Sequence, residues 1–177
     1  MKDMENNWYV ITGAPSSGKT TTINLLKDKG FNVVYEMARI YIDKKISEGK
    51  KIEEIREDEA YFQEEILKLK IEAEKNLAKE EITFFDRGIP DSDAYYVLCG
   101  TKQDEPLKQA IMNSQYKKVF LLDILEYEKD YARTETAEEQ VKIHNLLEES
   151  YRKTNADIVK VPVMPPSERL DFILNNL

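Results

Sequence analysis

The stretch GAPSSGKT, residues 13–20, follows the apolar and β-branched run WYVIT (8–12) and opens a helical pattern. It matches G-x-x-x-x-G-K-[ST] at every required position, in the strand–loop–helix context that this pattern needs. Glycine at positions 13 and 18 permits backbone angles that turn amide N–H groups inward around an anion. The stretch therefore predicts a phosphate-binding P-loop and the fold that carries one.

A P-loop predicts a bound nucleoside triphosphate, here ATP or GTP, together with Mg²⁺. We expect Lys19 to contact the β- and γ-phosphates and the Thr20 hydroxyl to ligate the metal ion. The predicted nucleotide-binding residues are Gly13, Ala14, Pro15, Ser16, Ser17, Gly18, Lys19, Thr20 and Thr21.

Strand-like and helical segments alternate along the rest of the chain. The further predicted strands lie at 31–36, 81–86, 117–123 and 157–162, and one long helical pattern runs from Ile52 to about Lys79. Alternation of this kind predicts an α/β fold with a mostly parallel sheet and helices on both faces. Ligands bind at the carboxyl ends of such strands, where we expect Glu36, Asp86 and Asp123 to gather around the P-loop.

Composition excludes several classes of protein. The 177 residues suit a single domain, 1–177, and a net charge of -8 argues against a nucleic-acid partner, which surplus Lys and Arg would hold. One cysteine fits a reducing cytoplasm, and no segment has the length and apolarity of a membrane span. We expect a cytoplasmic monomer or homodimer.

The segment FFDRGIPDSDAYY (84–96) places Asp and Arg directly after a predicted strand. In one interpretation Asp86 holds Mg²⁺ and Arg87 contacts the acceptor or a transferred phosphoryl oxygen. In the other, Asp86 or Asp91 caps a helix and Arg87 makes a surface ion pair. The complete P-loop favours the first interpretation.

The whole chain resembles the AAA-type ATPase and kinase-like family of small P-loop proteins. This family is related to the ribosylnicotinamide kinase half of a bifunctional NAD-biosynthesis regulator and, more distantly, to deoxynucleoside and thymidylate kinases. The resemblance rests on GAPSSGKT, YEMAR (35–39), YFQEEIL (61–67), FFDRGIPDSDAYY, KVFLLD (118–123), YARTETAEEQ (131–140) and VPVMPPSERLDFIL (161–174). It implies a five-stranded parallel sheet in the order 2-3-1-4-5.

The resemblance also implies roles for acceptor-side residues. Glu36 stands where related kinases place a carboxylate facing the acceptor hydroxyl and is the candidate general base, with an ion pair to Arg39 as the alternative. Arg39 would itself contact the acceptor. Gln63 follows Phe62 as in the Phe-Gln pair with which deoxynucleoside kinases read a base, although a solvated glutamine is equally typical of a charged helix.

Arg133 lies in the segment that forms the lid in kinases of this architecture. A lid arginine stabilises charge on the transferring phosphoryl group. The alternative is an exposed arginine paired with Glu135 or Asp130. Several related kinases carry more than one arginine here, whereas Arg133 stands among acidic neighbours.

The sequence thus predicts a small-molecule kinase with a nucleoside-type acceptor, for which nicotinamide riboside is the first candidate. A regulatory ATP- or GTP-binding protein with slow hydrolysis is the alternative. The segment TKQD (101–104) fits the [NT]-K-x-D pattern that selects guanine, but it follows a predicted helix instead of a strand. An open cavity between residues 36–39, 63 and 87 would favour transfer, and a cavity filled by packing would favour a switch.

Overall fold

The computed structural model describes residues 6–125 and 136–177, in which each of five strands is followed by one or more of eight helices. The strands are β1 (Trp8–Thr12), β2 (Asn32–Val34), β3 (Thr83–Asp86), β4 (Lys118–Leu122) and β5 (Asp157–Val161). The helices are α1 (Lys19–Asp28), α2 (Met37–Ser47), α3 (Ile52–Ile55), α4 (Glu59–Lys75), α5 (Ile89–Leu98), α6 (Glu105–Asn113), α7 (Ala137–Arg152) and α8 (Pro166–Leu174). Within these ranges no helix has the length and apolar character needed to span a bilayer.

The strands form one parallel sheet in the order β2-β3-β1-β4-β5, which confirms the predicted α/β fold and strand order. The central strand β1 pairs with β3 on one side and with β4 on the other, so that Tyr9 lies opposite both Phe84 and Lys118. The P-loop therefore follows β1 at the middle of the carboxyl edge of the sheet, between β3 and β4. Ligands of parallel α/β sheets bind at such a position, where the strand order reverses.

Both faces of the sheet are buried, which explains why β1 is a continuous apolar run and does not alternate. Tyr9 and Ile11 pack in a cluster that includes Ile23 of α1 and Ile173 of α8. On the opposite face Trp8 and Val10 pack with Phe85, Tyr116 and Tyr151. Complete burial of an apolar side chain contributes about 1.5–3 kcal/mol, and these two clusters fix the P-loop strand from both sides.

The prediction of one long helix from Ile52 to about Lys79 is wrong. The helical segment breaks after Ile55, and α4 begins at Glu59 because the Asp58 carboxylate accepts a hydrogen bond from the Tyr61 N–H at 2.9 Å. Aspartate at such a position stabilises a new helix start by about 1 kcal/mol. Residues on both sides of the break, Ile52 of α3 and Gln63 of α4, line one cavity.

The second strand is shorter than predicted and ends at Val34. Glu36 consequently stands at the N-cap position of α2, in the connection between β2 and α2. This placement turns its side chain to the carboxyl edge of the sheet, where it meets residues that follow β3.

Candidate functional site

One open cavity of about 850 Å³ joins the P-loop to the predicted acceptor side. The P-loop and the start of α1 contribute Pro15, Ser16, Gly18, Lys19, Thr20 and Thr21 to its lining. The acceptor side contributes, among others, Glu36, Arg39, Gln63, Lys70, Arg87 and Tyr95. The predicted acceptor residues therefore converge on open space that is continuous with the P-loop.

The P-loop has the backbone geometry that its glycines predict. Gly13, Ser16 and Gly18 have positive φ angles of 151°, 65° and 86°. A Cβ at position 13 would lie 2.7 Å from the Leu122 carbonyl oxygen, and one at position 18 would collide with the Arg169 guanidinium. Both glycines of the motif are thus required by conformation and by space.

Lys19 is buried in the mouth of the loop. Its Nζ donates hydrogen bonds to the carbonyl oxygens of Gly13 (3.0 Å) and Ala14 (2.8 Å) and to Ser17 Oγ (3.3 Å). Burial, assisted by the positive charge of Arg87, lowers the pKa of Lys19 to about 7. A polyphosphate beside this ammonium group would favour its charged form, so the site is electrostatically suited to an anion.

Asp86 ends β3 and has one carboxylate oxygen, Oδ1, that is buried and without a hydrogen-bond partner in the described residues. Burial, with a contribution from Glu36, raises the pKa of Asp86 to about 6. A divalent cation would satisfy this oxygen and favour the ionised carboxylate. Asp86 and the cavity-lining Thr20 therefore fit the predicted Mg²⁺, with water and phosphate oxygens as further ligands.

Arg87 is buried and holds two carboxylates. Its Nε donates to Glu36 Oε1 at 3.1 Å and its Nη1 donates to Asp91 Oδ1 at 2.9 Å. The surface ion pair that was the alternative for Arg87 is therefore wrong. The capping alternative is correct for Asp91, because Asp91 Oδ2 accepts the Gly88 N–H at 3.0 Å.

Glu36 pairs with Arg87, so the alternative pairing with Arg39 is not the one that forms. Burial alone would raise the pKa of Glu36, but the positive charges of Arg87, Lys19 and Lys70 outweigh burial and the net shift is downward. Glu36 is consequently ionised at neutral pH and can accept a hydrogen bond from a hydroxyl group at the cavity wall.

Arg39 and Gln63 reach the cavity from different helices. Arg39 is exposed on α2, whereas Gln63 on α4 is only 5% exposed. The solvated alternative for Gln63 is therefore wrong. Its Nε2 donates to Glu59 Oε1 at 2.9 Å. The predicted lid residue Arg133 lies outside the described residues.

Asp91 is a further carboxylate close to the P-loop lysine, because its charge acts on Lys19 together with those of Asp86 and Glu36. The predicted place of Asp123 beside the P-loop stays a prediction. Asp123 follows β4, and its charge acts on His144.

Sequence reasoning missed Lys70, a buried lysine in the cavity wall. Its Nζ donates to the Gly88 carbonyl oxygen (2.9 Å) and to Ser92 Oγ (3.1 Å), and burial lowers the pKa of Lys70 to about 8. Its spacing in the sequence could have indicated burial, because Lys70 lies on the same face of α4 as Gln63 and Ile66, among the apolar residues of that helix.

The guanine-selecting pattern TKQD (101–104) does not face the cavity. It follows α5, and the Asp104 carboxylate caps α6 by accepting the Leu107 N–H at 3.0 Å. Asp104 therefore has a structural role as the cap of α6.

A family model described as AAA domain matches residues 8–169. The chain belongs to this AAA domain family. No curated protein matches the sequence of this AAA domain significantly.

Solved structures share the fold of this AAA domain. A NadR protein in complex with NR superposes with a TM-score of 0.69 at 14% identity, over 96% of the present chain and 49% of NadR. The deoxyadenosine kinase from M. mycoides with bound dCTP gives a TM-score of 0.64 at 14% identity, over 96% and 97% of the two chains. The AAA domain thus spans about half the length of NadR, and it has a P-loop, nucleoside-kinase-like fold.

Proposed function

We propose that the chain transfers the γ-phosphoryl group of a magnesium-bound nucleoside triphosphate, ATP or GTP, to a hydroxyl group of a small, nucleoside-type molecule. The shared cavity is the observation that carries this proposal. P-loop residues line one part of it, and Glu36, Arg39, Gln63 and Arg87 line the other. A protein that only switches conformation does not need a second open compartment beside the phosphates.

The transfer step needs positioned charge more than covalent chemistry. The acceptor oxygen bonds to the γ-phosphorus as the bond from that phosphorus to the β–γ bridging oxygen breaks, and the nucleoside diphosphate leaves. Glu36 accepts the hydroxyl proton and returns it to solvent. Because the pKa of Glu36 is lowered, its main contribution is to orient the hydroxyl group, and this suits a loose transition state.

Three further groups would act on the phosphates. Lys19 would neutralise the β- and γ-phosphate oxygens, and Arg87, whose guanidinium has five N–H donors, has donors beyond the two that bind Glu36 and Asp91. When bound to Thr20 and Asp86, Mg²⁺ neutralises charge on the same phosphates. The likeness in fold to a deoxyadenosine kinase and to a NadR protein that binds NR supports a nucleoside-type acceptor.

The test is release of ADP and GDP in the presence of Mg²⁺, with and without a pool of nucleosides and small hydroxylated metabolites. We expect the pool to stimulate release. Lys19→Ala should lower stimulated release by about 100-fold or more, because a charge aimed at the transferring group is lost. Lys29→Ala, at the exposed end of α1, is the matched control and should have no effect.

A second variant tests mainly the acceptor side. Glu36→Gln should strongly lower stimulation by the pool, because the charge that orients the hydroxyl group and accepts its proton is lost, and should affect binding of the nucleoside triphosphate far less than Lys19→Ala does. Slow release that no acceptor stimulates would contradict phosphoryl transfer and favour a regulatory NTPase.

A further inference from the structure

Glu59, the first residue of α4, accepts hydrogen bonds from three residues beside the cavity. Arg56 binds both of its carboxylate oxygens, through Nε and Nη2, at 2.7 Å each. Gln63 Nε2 donates to Glu59 Oε1 at 2.9 Å, and Cys99 Sγ donates to the same oxygen at 3.5 Å. The two-point contact with a guanidinium is typical of an ionised carboxylate that is held in one orientation.

A carboxylate held in this way dictates how the neighbouring amide is turned. A primary amide donates through its nitrogen and accepts through its oxygen, whereas an ionised carboxylate only accepts. The nitrogen of Gln63 must therefore face Glu59, since the reversed amide would bring two acceptor oxygens together. The carbonyl oxygen Oε1 accepts no hydrogen bond from the residues that the structure describes, and Gln63 lines the cavity.

The geometry points to Glu59 as a positioning residue that fixes Gln63 as a hydrogen-bond acceptor, so that the phosphoryl acceptor presents an amino or carboxamide N–H group to Gln63 Oε1. The inference rests on the proposed function, because it concerns the molecule that shares the cavity with the nucleotide. Among nucleoside-type molecules, the inferred site selects those whose base or other planar group carries an N–H donor on the edge that faces Gln63 Oε1.

The surroundings of Gln63 reinforce the selection. Phe62 is 2% exposed, and the Arg56 guanidinium lies 4.4 Å from the centre of its ring. Arg56 thus joins the carboxylate to the aromatic wall, and rotation of the Gln63 amide would break its contact with Glu59. A molecule with a carbonyl oxygen in place of the N–H group would face Gln63 Oε1 without a donor, and we expect a loss of about 10- to 100-fold in kcat/KM.

The experiment compares matched pairs of acceptors in which an exocyclic amino or amide nitrogen is replaced by oxygen. The pairs are cytidine with uridine, adenosine with inosine, and nicotinamide riboside with nicotinate riboside. For at least one pair the unsubstituted protein should prefer the amino or carboxamide member by about tenfold or more in kcat/KM. In Glu59→Gln both orientations of the Gln63 amide become acceptable, and the preference should fall to within about threefold.

Glu65→Gln is the matched control. Glu65 lies on the same helix and also pairs with a cation three residues away, Lys68 at 2.7 Å, but the hydrogen bond of the Gln63 amide goes to Glu59 and not to Glu65. It should keep the preference. Gln63→Met, which keeps the length of the side chain and removes the amide, should abolish the preference as Glu59→Gln does. Thermal unfolding of each variant shows whether it is folded.

Three outcomes would overturn the inference. The pairs could show no preference, the oxygen-bearing member could be preferred, or the preference could survive in folded Glu59→Gln. Failure of the proposed function has a different signature: the protein binds a nucleoside triphosphate, but no member of any pair stimulates release of the diphosphate, and the inference falls with it. If acceptors stimulate release of the diphosphate but the amino or carboxamide member of no pair is preferred, the inference is rejected and the proposed function stands.

Discussion

Arg87 shows how the site constrains single residues. It has a φ of 67°, in the left-handed region that residues other than glycine rarely occupy, at a cost of about 1–3 kcal/mol. Such a conformation persists only where the surroundings determine it. Two carboxylates, Glu36 and Asp91, hold the guanidinium, and the Arg87 N–H donates to the Ile11 carbonyl oxygen at 3.1 Å.

Asp91 is the residue on which this arrangement depends most. It is fully buried, and it accepts hydrogen bonds from Arg87, from Gly88 N–H and from the hydroxyl groups of Thr12 (2.7 Å) and Tyr151. Asp91→Asn removes the charge that balances a buried guanidinium. We expect the free energy of unfolding to fall by about 3 kcal/mol, measured by urea denaturation.

The control for Asp91→Asn is Glu105→Gln, which breaks the exposed pair with Lys108 and should change the free energy of unfolding by less than about 1 kcal/mol. Acceptor-stimulated release should fall in Asp91→Asn because Arg87 loses one of its two anchors. Equal stability of the two variants would show that Asp91 does not hold Arg87 in place.

At the scale of elements, the start of α5 is held by two tyrosine hydroxyl groups. Tyr151 Oη accepts the Gly88 N–H at 3.0 Å, and Tyr116 Oη accepts the Ile89 N–H at 2.9 Å. These N–H groups belong to the first turn, which has no intrahelical partners for them. Tyr116 in turn donates to Glu74 of α4, so this contact connects α4 to α5.

Glu74 makes the stability of this contact depend on pH. Burial raises the pKa of Glu74 to about 7, above the value near 4.5 that it has in the unfolded chain. Between these two values the folded protein binds more protons than the unfolded chain, so the free energy of unfolding falls as pH rises through this window. Glu74→Gln removes the titration and keeps an oxygen that accepts from Tyr116.

We therefore expect Glu74→Gln to be more stable than the unsubstituted protein at pH 8, by about 1–3 kcal/mol, and to show no such advantage at pH 4.5. Urea denaturation at the two pH values measures the difference. Glu72→Gln on the same helix, which only loses an exposed pair with Lys75, should leave the pH dependence unchanged. If the free energy of unfolding of Glu74→Gln changed with pH as much as that of the unsubstituted protein, Glu74 would not be the group that causes the pH dependence.

The elements also show what can be predicted from sequence. The parallel sheet and the P-loop were predictable because strand-like and helical segments alternate and GAPSSGKT requires particular backbone angles, whereas the strand order was implied by the resemblance to a known family. The break between α3 and α4 was not predictable, because the helical periodicity of the sequence continues through Asp58, whose side chain starts a new helix. Asp91 and Lys70 join the site through contacts between α4, β3 and α5, and these contacts depend on packing that no local pattern contains.

At the scale of the whole molecule, Arg169 connects the last helix to the P-loop and the first helix. This residue of α8 is 4% exposed, and its Nη1 donates to the Gly18 carbonyl oxygen (3.2 Å) and to Thr22 Oγ1 (3.3 Å), while Nη2 donates to the Met164 carbonyl oxygen (3.1 Å). The last helix thus supports the turn in which the P-loop becomes α1. The proposed nucleotide binding at residues 13–21 would therefore depend on a side chain about 150 residues away in sequence.

Arg169→Lys tests this dependence. Lysine keeps the positive charge but has no planar fork, so its single ammonium group cannot reach α1 and the Met164 carbonyl oxygen together. We expect the free energy of unfolding to fall by about 1–3 kcal/mol and the Kd for a nucleoside triphosphate to rise by about 5- to 10-fold, because Gly18 loses its support. Arg152→Lys, at an exposed pair with Glu148, is the matched control. Nucleotide affinity that is unchanged in a destabilised Arg169→Lys protein would show that α8 stabilises the fold without acting on the P-loop.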